Sequence, residues 1–198
     1  MRVCIYGAAS TQIPEIYTKA AYELCSKLAR RGHSLVFGAG DGGMMGASAR
    51  GFHDAGGHVM GVAPTFFKDT VIEALYEDSD VIVYTDSMGM RKSVMESNAD
   101  AFIVMPGGIG TYDEFFQILT LKQLKVMHKP IVLYNVDRFY DPFAAMYLRA
   151  MQEKFLRSDT PTLYRSFSEH EQDQIIEYIE AGPEPETDDK VDSIYGSK

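Results

Sequence analysis

The 198-residue sequence contains no tryptophan, two cysteines and eight prolines. Two cysteines are too few to staple a disulfide scaffold. Cys4 lies in a short apolar run and Cys25 in an amphipathic one, so both read as reduced thiols of a cytoplasmic protein. No apolar run is long enough to span a bilayer, and the opening MRVCIYGAAS is too briefly apolar for a secretory signal, so neither a membrane nor export is expected. Positive charge is also short: 19 lysines and arginines stand against 28 aspartates and glutamates, a net charge of −9. That balance argues against non-specific binding of nucleic acid or of an anionic membrane, while leaving room for a local basic pocket.

Several chemistry-bearing signatures are missing. Without GxxxxGK[ST] there is no Walker-type triphosphatase, and without GxSxG no nucleophile elbow. The five histidines, His33, His53, His58, His128 and His170, lack metal-ligand spacing with acids or cysteines and read as surface or structural groups, so no metal is expected. No lysine stands in a setting suited to a Schiff base with pyridoxal phosphate, and no cofactor is expected. Gly38-x-Gly40-x-x-Gly43 fits the dinucleotide fingerprint by spacing. It follows the second predicted strand rather than the first, and the third ends in Val62-Ala63-Pro64 without an acid for a ribose hydroxyl. It therefore reads as a tight turn that lets a helix pack on a sheet.

What is present is an ordinary globular composition, 45% hydrophobic and 24% charged, at a length suited to one domain with a sizeable core. Short apolar runs predict strands over 3–6, 34–37, 59–62, 81–84, 101–105 and 130–134. Helical periodicity predicts helices over 14–31, 43–55, 87–98, 112–127, 139–155 and 169–181. Ile16, Ala20, Leu24 and Leu28 mark the first of these, and Gly32 closes it. Residues 65–80 have no clear period; a short helical piece is expected around 71–76. Strands alternating with helices imply an α/β, Rossmann-like doubly wound fold, a mostly parallel sheet with helices on both faces. Residues 1–181 form this one domain, and 182–198, GPEPETDDKVDSIYGSK, read as a flexible acidic tail. Met44, Met45, Met88, Met90, Met95 and Met105 read chiefly as core, with some placed to line a pocket for a flat apolar base. Phe143, Met146, Tyr147, Ala150 and Met151 recur at helical spacing, which suits core packing or a helix pair at a dimer seam.

The chain is organised around residues 88–114. A helix carries Arg91 and Lys92, a buried strand follows, and Pro106-Gly107-Gly108-Ile109-Gly110-Thr111 leads into the next helix, which holds Glu114. Glycines between a strand and a helix let a ligand approach the main chain, and the helix start favours a phosphate. Arg91 and Lys92 bring positive charge, and Glu114 is the acid nearest whatever the phosphate carries. Plainer readings stand beside these. Thr111-x-x-Glu114 is also a capping box, Arg91 and Lys92 a solvated helix face, and the glycines a tight turn.

These residues resemble the LONELY GUY family of cytokinin riboside 5′-monophosphate phosphoribohydrolases, long labelled lysine decarboxylases. Pro106-Gly107-Gly108-x-Gly110-Thr111-x-x-Glu114 is similar to the family's PGGxGTxxE signature, and Met88-x-x-Arg91-Lys92 to its Arg-Lys signature. The glycine-rich stretch from Phe37 to Gly46 is similar as well. The resemblance implies catalytic importance for Arg91 and Glu114. It implies substrate contacts at Met88, Lys92, Gly107, Gly108, Ile109, Gly110 and Thr111. Gly40 and Gly43 would wall the nucleotide pocket, and looser alignment adds Glu73 and Thr120. Known relatives are dimers with pockets beside the interface, so a homodimer is expected. The chain departs from the family in Gly7-Ala8-Ala9-Ser10, in Met88-Gly89-Met90, and in Ile109 and Tyr112-Asp113. The first two alter pocket walls and bear on which base is preferred.

The expected reaction is hydrolysis of the N-glycosidic bond of a cytokinin riboside 5′-monophosphate or AMP to free base and ribose 5-phosphate. It builds oxocarbenium-like charge that a carboxylate can stabilise. The alternative is a nonenzymatic nucleotide or molybdenum-cofactor carrier of the same architecture. A DNA-uptake Rossmann protein would need a basic groove, which the charge disfavours.

Overall fold

The computed structural model describes residues 1–68, 74–156 and 163–182. The strands are β1 (Arg2–Tyr6), β2 (Ser34–Phe37), β3 (Val59–Pro64), β4 (Val81–Thr85), β5 (Ala101–Val104), β6 (Ile131–Tyr134) and β7 (Arg165–Phe167). The helices are α1 (Glu15–Arg30), α2 (Gly43–Asp54), α3 (Met88–Ser97), α4 (Ile109–Gln123), α5 (Asp141–Gln152) and α6 (Gln172–Glu180). The strands form one sheet in the order β4-β3-β2-β1-β5-β6-β7, and each neighbouring pair is parallel. The central strands are apolar throughout because both of their faces are covered. On β1, Val3 and Ile5 join the core under α1, α2 and α6. Cys4 and Tyr6 join the opposite core, under α3, α4 and α5. Among the described residues no helix is long and apolar enough to cross a membrane.

The order of the strands places the site. The chain steps outward from β1 to β4, then returns to lay β5 on the other side of β1. That reversal opens a crevice beyond the carboxyl ends of β1 and β5, where ligands of doubly wound sheets bind. The loops leaving these two strands are tied together, Ala8 N–H donating to the Pro106 carbonyl at 3.2 Å.

All six expected strands are present within a residue or two. The seventh, β7, was not expected: its three residues, Arg-Ser-Phe, carry no apolar run, and it is recruited by pairing with β6, Val132 to Arg165 and Tyr134 to Phe167. The expected helical piece at 71–76 is not borne out where it can be seen. Leu75 instead bridges to Gly40, and Tyr76 N–H donates to the Ala39 carbonyl at 2.8 Å. Residues 71–73, and all of the acidic tail beyond Gly182, lie outside the described residues.

Helix ends explain the remaining shifts. Among the described residues, four helices close with the paired bonds of the Schellman motif, which needs a left-handed residue just past the helix. After α1 and α2 that residue is glycine, Gly32 at φ 83° and Gly56 at φ 76°. After α4 and α5 it is Lys125 at φ 57° and Lys154 at φ 65°. The motif is complete at α4, where Lys125 N–H reaches Lys122 O at 3.0 Å and Val126 N–H reaches Leu121 O at 2.9 Å. With no glycine to mark them, both ends were read too far along. Lysine is strained in this conformation. Lys125→Gly and Lys154→Gly are each expected to stabilise the fold by about 0.5–1 kcal/mol, net of glycine's extra freedom in the unfolded chain. Urea denaturation checks this, and an unchanged or lowered midpoint would count against the assignment.

Candidate active site

The loop after β5 is built for close approach. Gly108 is extended and precedes α4, and no side chain caps the helix. The first intrahelical bond is Tyr112 N–H to Gly108 O at 3.0 Å, so the amides before it have no acceptor within the helix. A Cβ at Gly108 or Gly110 would meet nothing within 4 Å, and Ile109 is 83% exposed. Gly107 differs, because a Cβ there would overlap the hydroxyl of buried Thr111. Its glycine lets Thr111 sit beneath the loop.

The other glycine-rich loop has the same look and a different fate. The amides that open α2 are already taken, Met44 N–H by the Ala8 carbonyl at 2.8 Å and Met45 N–H by the same oxygen at 3.3 Å. Gly43 has φ 55°, and a Cβ there would lie 2.5 Å from that oxygen. Gly43 is thus required by a tight loop crossing, and Gly40 forms a bridge with Leu75. The dinucleotide spacing is a packing device here.

Arg91 and Glu114 come together in the interior. Arg91 is 5% exposed and Glu114 8%. Arg91 Nη1 donates to Glu114 Oε1 at 3.0 Å, Nε to the Val62 carbonyl at 3.0 Å and Nη2 to the Gly38 carbonyl at 3.1 Å. The guanidinium thus reaches the ends of β3 and β2 and the first turns of α4 at once. The sequence leaves open whether Arg91 serves phosphate, ribose or the carboxylate; in this geometry Nη1 holds the Glu114 carboxylate while Nε and Nη2 each hold a main-chain carbonyl. The capping-box reading is corrected: Thr111 lies inside α4, and Glu114 turns to Arg91 instead of back to the helix start. Burial pushes the Glu114 carboxyl up from 4.5 to about 7, with Arg91 pulling the other way and Asp113 adding to the rise. A carboxyl poised there changes protonation state near neutral pH, as acid–base chemistry requires.

The remaining expected residues divide. Lys92, next to Arg91, bonds Asp113 Oδ2 at 2.7 Å. Met88 and Met90 are exposed at the start of α3, whereas Met44, Met45, Met95 and Met105 are core. Thr120 bonds the Phe116 carbonyl one turn back. It sits eleven residues past Ile109, about 16 Å along the helix axis from the loop. Glu73 lies outside the described residues. Of the histidines, His33 contacts Glu180 and the terminal amine, and His53 contacts Tyr76 and Asp80. Sequence reasoning missed the carbonyls of Gly38 and Val62 and the partner of Lys92. The structure accounts for one of these residues: a Cβ at Gly38 would overlap Arg91 Nη2.

Comparison with known proteins places the chain in a family. A family model described as "Possible lysine decarboxylase" matches residues 45–179. A probable cytokinin riboside 5′-monophosphate phosphoribohydrolase, LOGL5 of Oryza sativa subsp. japonica, is 40% identical over 157 residues, 78% of this chain and 62% of its own. The cytokinin riboside 5′-monophosphate phosphoribohydrolase LOG2 of Arabidopsis thaliana is 36% identical over 79% of this chain and 73% of its own. The chain spans a little under two thirds of the length of two rice relatives, 62% of LOGL5 and 64% of LOG. Among solved structures, the molybdenum cofactor carrier protein of Chlamydomonas reinhardtii superposes with a TM-score of 0.68 at 19% identity, covering 91% of this chain and 98% of its own. The molybdenum cofactor binding protein of Rippkaea orientalis gives 0.63 at 20% identity, over 89% and 93%. At those identities the likeness is one of fold. By its signatures, the family model and the curated relatives together, this chain belongs to the LONELY GUY family.

Proposed function

We propose that this protein hydrolyses the N-glycosidic bond of a nucleoside 5′-monophosphate, a cytokinin riboside 5′-monophosphate or AMP, to free base and ribose 5-phosphate. The observation that carries the reading is the buried Arg91–Glu114 pair at the foot of an uncapped, glycine-lined helix start. Curated members of the same family bear that activity in their names. The amides of Gly107, Gly108, Gly110 and Thr111 take the 5′-phosphate, aided by the α4 dipole and by Lys92. This anchors the ribose so that remote binding energy orients the bond to be broken. Positive charge then builds at the anomeric carbon. Ionised Glu114 stabilises that charge and takes a proton from the attacking water; the departing base takes a proton from solvent, and Glu114 returns its own to solvent to complete the turnover. Arg91 acts through Glu114 as a positioning residue. Met88 and Ile109 flank the opening and contact the nucleotide.

The working unit is proposed to be a cytoplasmic homodimer that takes no nucleic acid. α5 supports this: it carries Phe143, Met146, Leu148 and Met151 but buries Tyr147 alone. Phe116, Leu124, Val126, Met146 and Phe155 are all exposed, an apolar surface of the kind that marks an interface. Thr120, exposed near the end of α4, would enter a site only from a second copy. Met146→Glu is expected to convert dimer to monomer in sedimentation velocity. A monomeric wild type, or a variant that still dimerises, would count against this seam.

The activity is tested by incubating the protein with AMP and with isopentenyladenosine monophosphate and following free base and ribose 5-phosphate. Wild type should release base, and Glu114→Gln should be slower by about 10²–10⁴. Bound nucleotide without base release would replace the reading with the nonenzymatic carrier. The ionisation of Glu114 has its own signature. Its folded value of about 7 lies above the unfolded 4.5, so between those values the folded state holds the extra proton. The contribution of this carboxyl to stability is therefore fully present below 4.5 and is lost as pH rises to about 7. Urea midpoints at pH 5 and pH 7.5 should show this decline in wild type and a weaker one in Glu114→Gln. Equal slopes would mean the carboxyl is not held protonated.

A further inference from the structure

The Pro106-Gly107-Gly108 loop is anchored by a side chain that no part of the reaction above uses. β5 ends at Val104, and the Met105 carbonyl beyond it accepts a hydrogen bond from the Tyr140 hydroxyl at 2.7 Å. Both residues are buried, Met105 at 0% and Tyr140 at 2%. Tyr140 is itself held from the neighbouring strand. Its main-chain amide donates to Asn135 Oδ1 at 2.7 Å, Asn135 Nδ2 donates to Asp141 Oδ1 at 2.9 Å, and Asn135 N–H donates to the Phe167 carbonyl at 2.7 Å. The ring packs edge-on against Phe139 and Phe143, with centroids 5.0 and 6.4 Å away. The loop's first turn is also tied by main chain: Met105 N–H donates to Tyr6 O at 2.8 Å and Ala8 N–H to Pro106 O at 3.2 Å.

We infer that Tyr140 is a positioning residue of the phosphate loop: tied to the end of β6 through Asn135, its hydroxyl fixes the Met105 carbonyl and so the place at which Gly107, Gly108 and Gly110 present their amides. The inference rests on the reading above only in taking this loop to hold a 5′-phosphate. Glycines supply no side chains to define the loop's shape, so the shape has to come from its anchors. A main-chain carbonyl two residues ahead of the first amide is a short lever. Burial pushes the Tyr140 hydroxyl far up, with Tyr112 adding to the rise, so the tether stays a donor at every working pH.

The experiment is calorimetric binding of ribose 5-phosphate and, separately, of free adenine to wild type, Tyr140→Phe and Tyr134→Phe. Tyr134 is the control. It is equally buried, and its hydroxyl contacts Ala20 O and Gln172 in the opposite core, away from the loop. Tyr140→Phe should bind ribose 5-phosphate about fivefold more weakly or worse, as loss of one anchoring hydrogen bond predicts. Adenine should change less than about twofold, and Tyr134→Phe should match wild type for both. Unchanged ribose 5-phosphate binding by Tyr140→Phe, or equal losses for both ligands, would overturn the inference. Wild type that fails to bind ribose 5-phosphate at all would overturn the phosphoribohydrolase reading and this inference with it. Should Tyr140→Phe not fold, Asn135→Ser frees the Tyr140 amide without opening the core, and the same ratio of losses decides the matter.

Discussion

The site depends on how one guanidinium is housed. Arg91 is buried, and a buried cation is tolerable only when its donors are matched. The three acceptors come from distant parts of the chain, Gly38 after β2, Val62 in β3 and Glu114 on α4. The same bonds that satisfy the charge therefore join both sides of the β1–β5 reversal and fix the carboxylate at its bottom. Removing one partner of such a pair costs about 3–5 kcal/mol, because the other charge is stranded. The arrangement also dictates residues that do no chemistry. Gly38 is glycine because the guanidinium occupies the space of its Cβ. Ala39 follows at φ 65° with its carbonyl engaged by Tyr76, so the strain of the turn falls on a buried residue held from both sides.

The two glycine-rich loops show why a motif has to be read with its hydrogen bonds. Both lead from a strand into a helix, and both place glycine where the main chain is crowded or bare. At α2 the amides of Met44 and Met45 are occupied by the Ala8 carbonyl, so that helix start has fewer donors to offer an anion. At α4 the corresponding amides have no protein acceptor within the helix, and two of the glycines face open space. Anion binding follows from unmet donors; glycine is only the condition that lets a ligand reach them.

Much of the fold was legible because buried parallel strands announce themselves. VCIY, LVF, AFIV and IVLY can hardly be anything else between amphipathic helices. What escaped was set by tertiary context. β7 has no apolar signal and exists because β6 offers it an edge. Two helix ends were hidden because lysine takes the left-handed position that glycine usually marks. Within the site, Arg91, Lys92 and Glu114 were legible from their signatures, yet the tasks of the two cations were not. Spacing cannot say that Arg91 bonds two carbonyls from β2 and β3, since carbonyls carry no residue identity. It cannot separate a capping glutamate from an ion-paired one either; that choice was made by the extended Gly108, which puts the helix cap three residues ahead of Thr111.

The neighbouring cations of α3 then divide the electrostatic work. One residue apart on a helix, Arg91 and Lys92 point about 100° away from each other, and their surroundings differ accordingly. The Arg91–Glu114 side chains are 6% and 11% exposed, and the Lys92–Asp113 side chains 14% and 59%. The first pair is locked by the sheet. The second has a partner largely in water, and a pair of that kind is held by about 1 kcal/mol or less. On the proposed reading an arriving phosphate takes Lys92 from Asp113 at little cost, while the carboxylate that must act stays where Arg91 holds it. A protein of net charge −9 can thus receive a dianion by exchanging one exposed carboxylate contact and leaving the buried one intact.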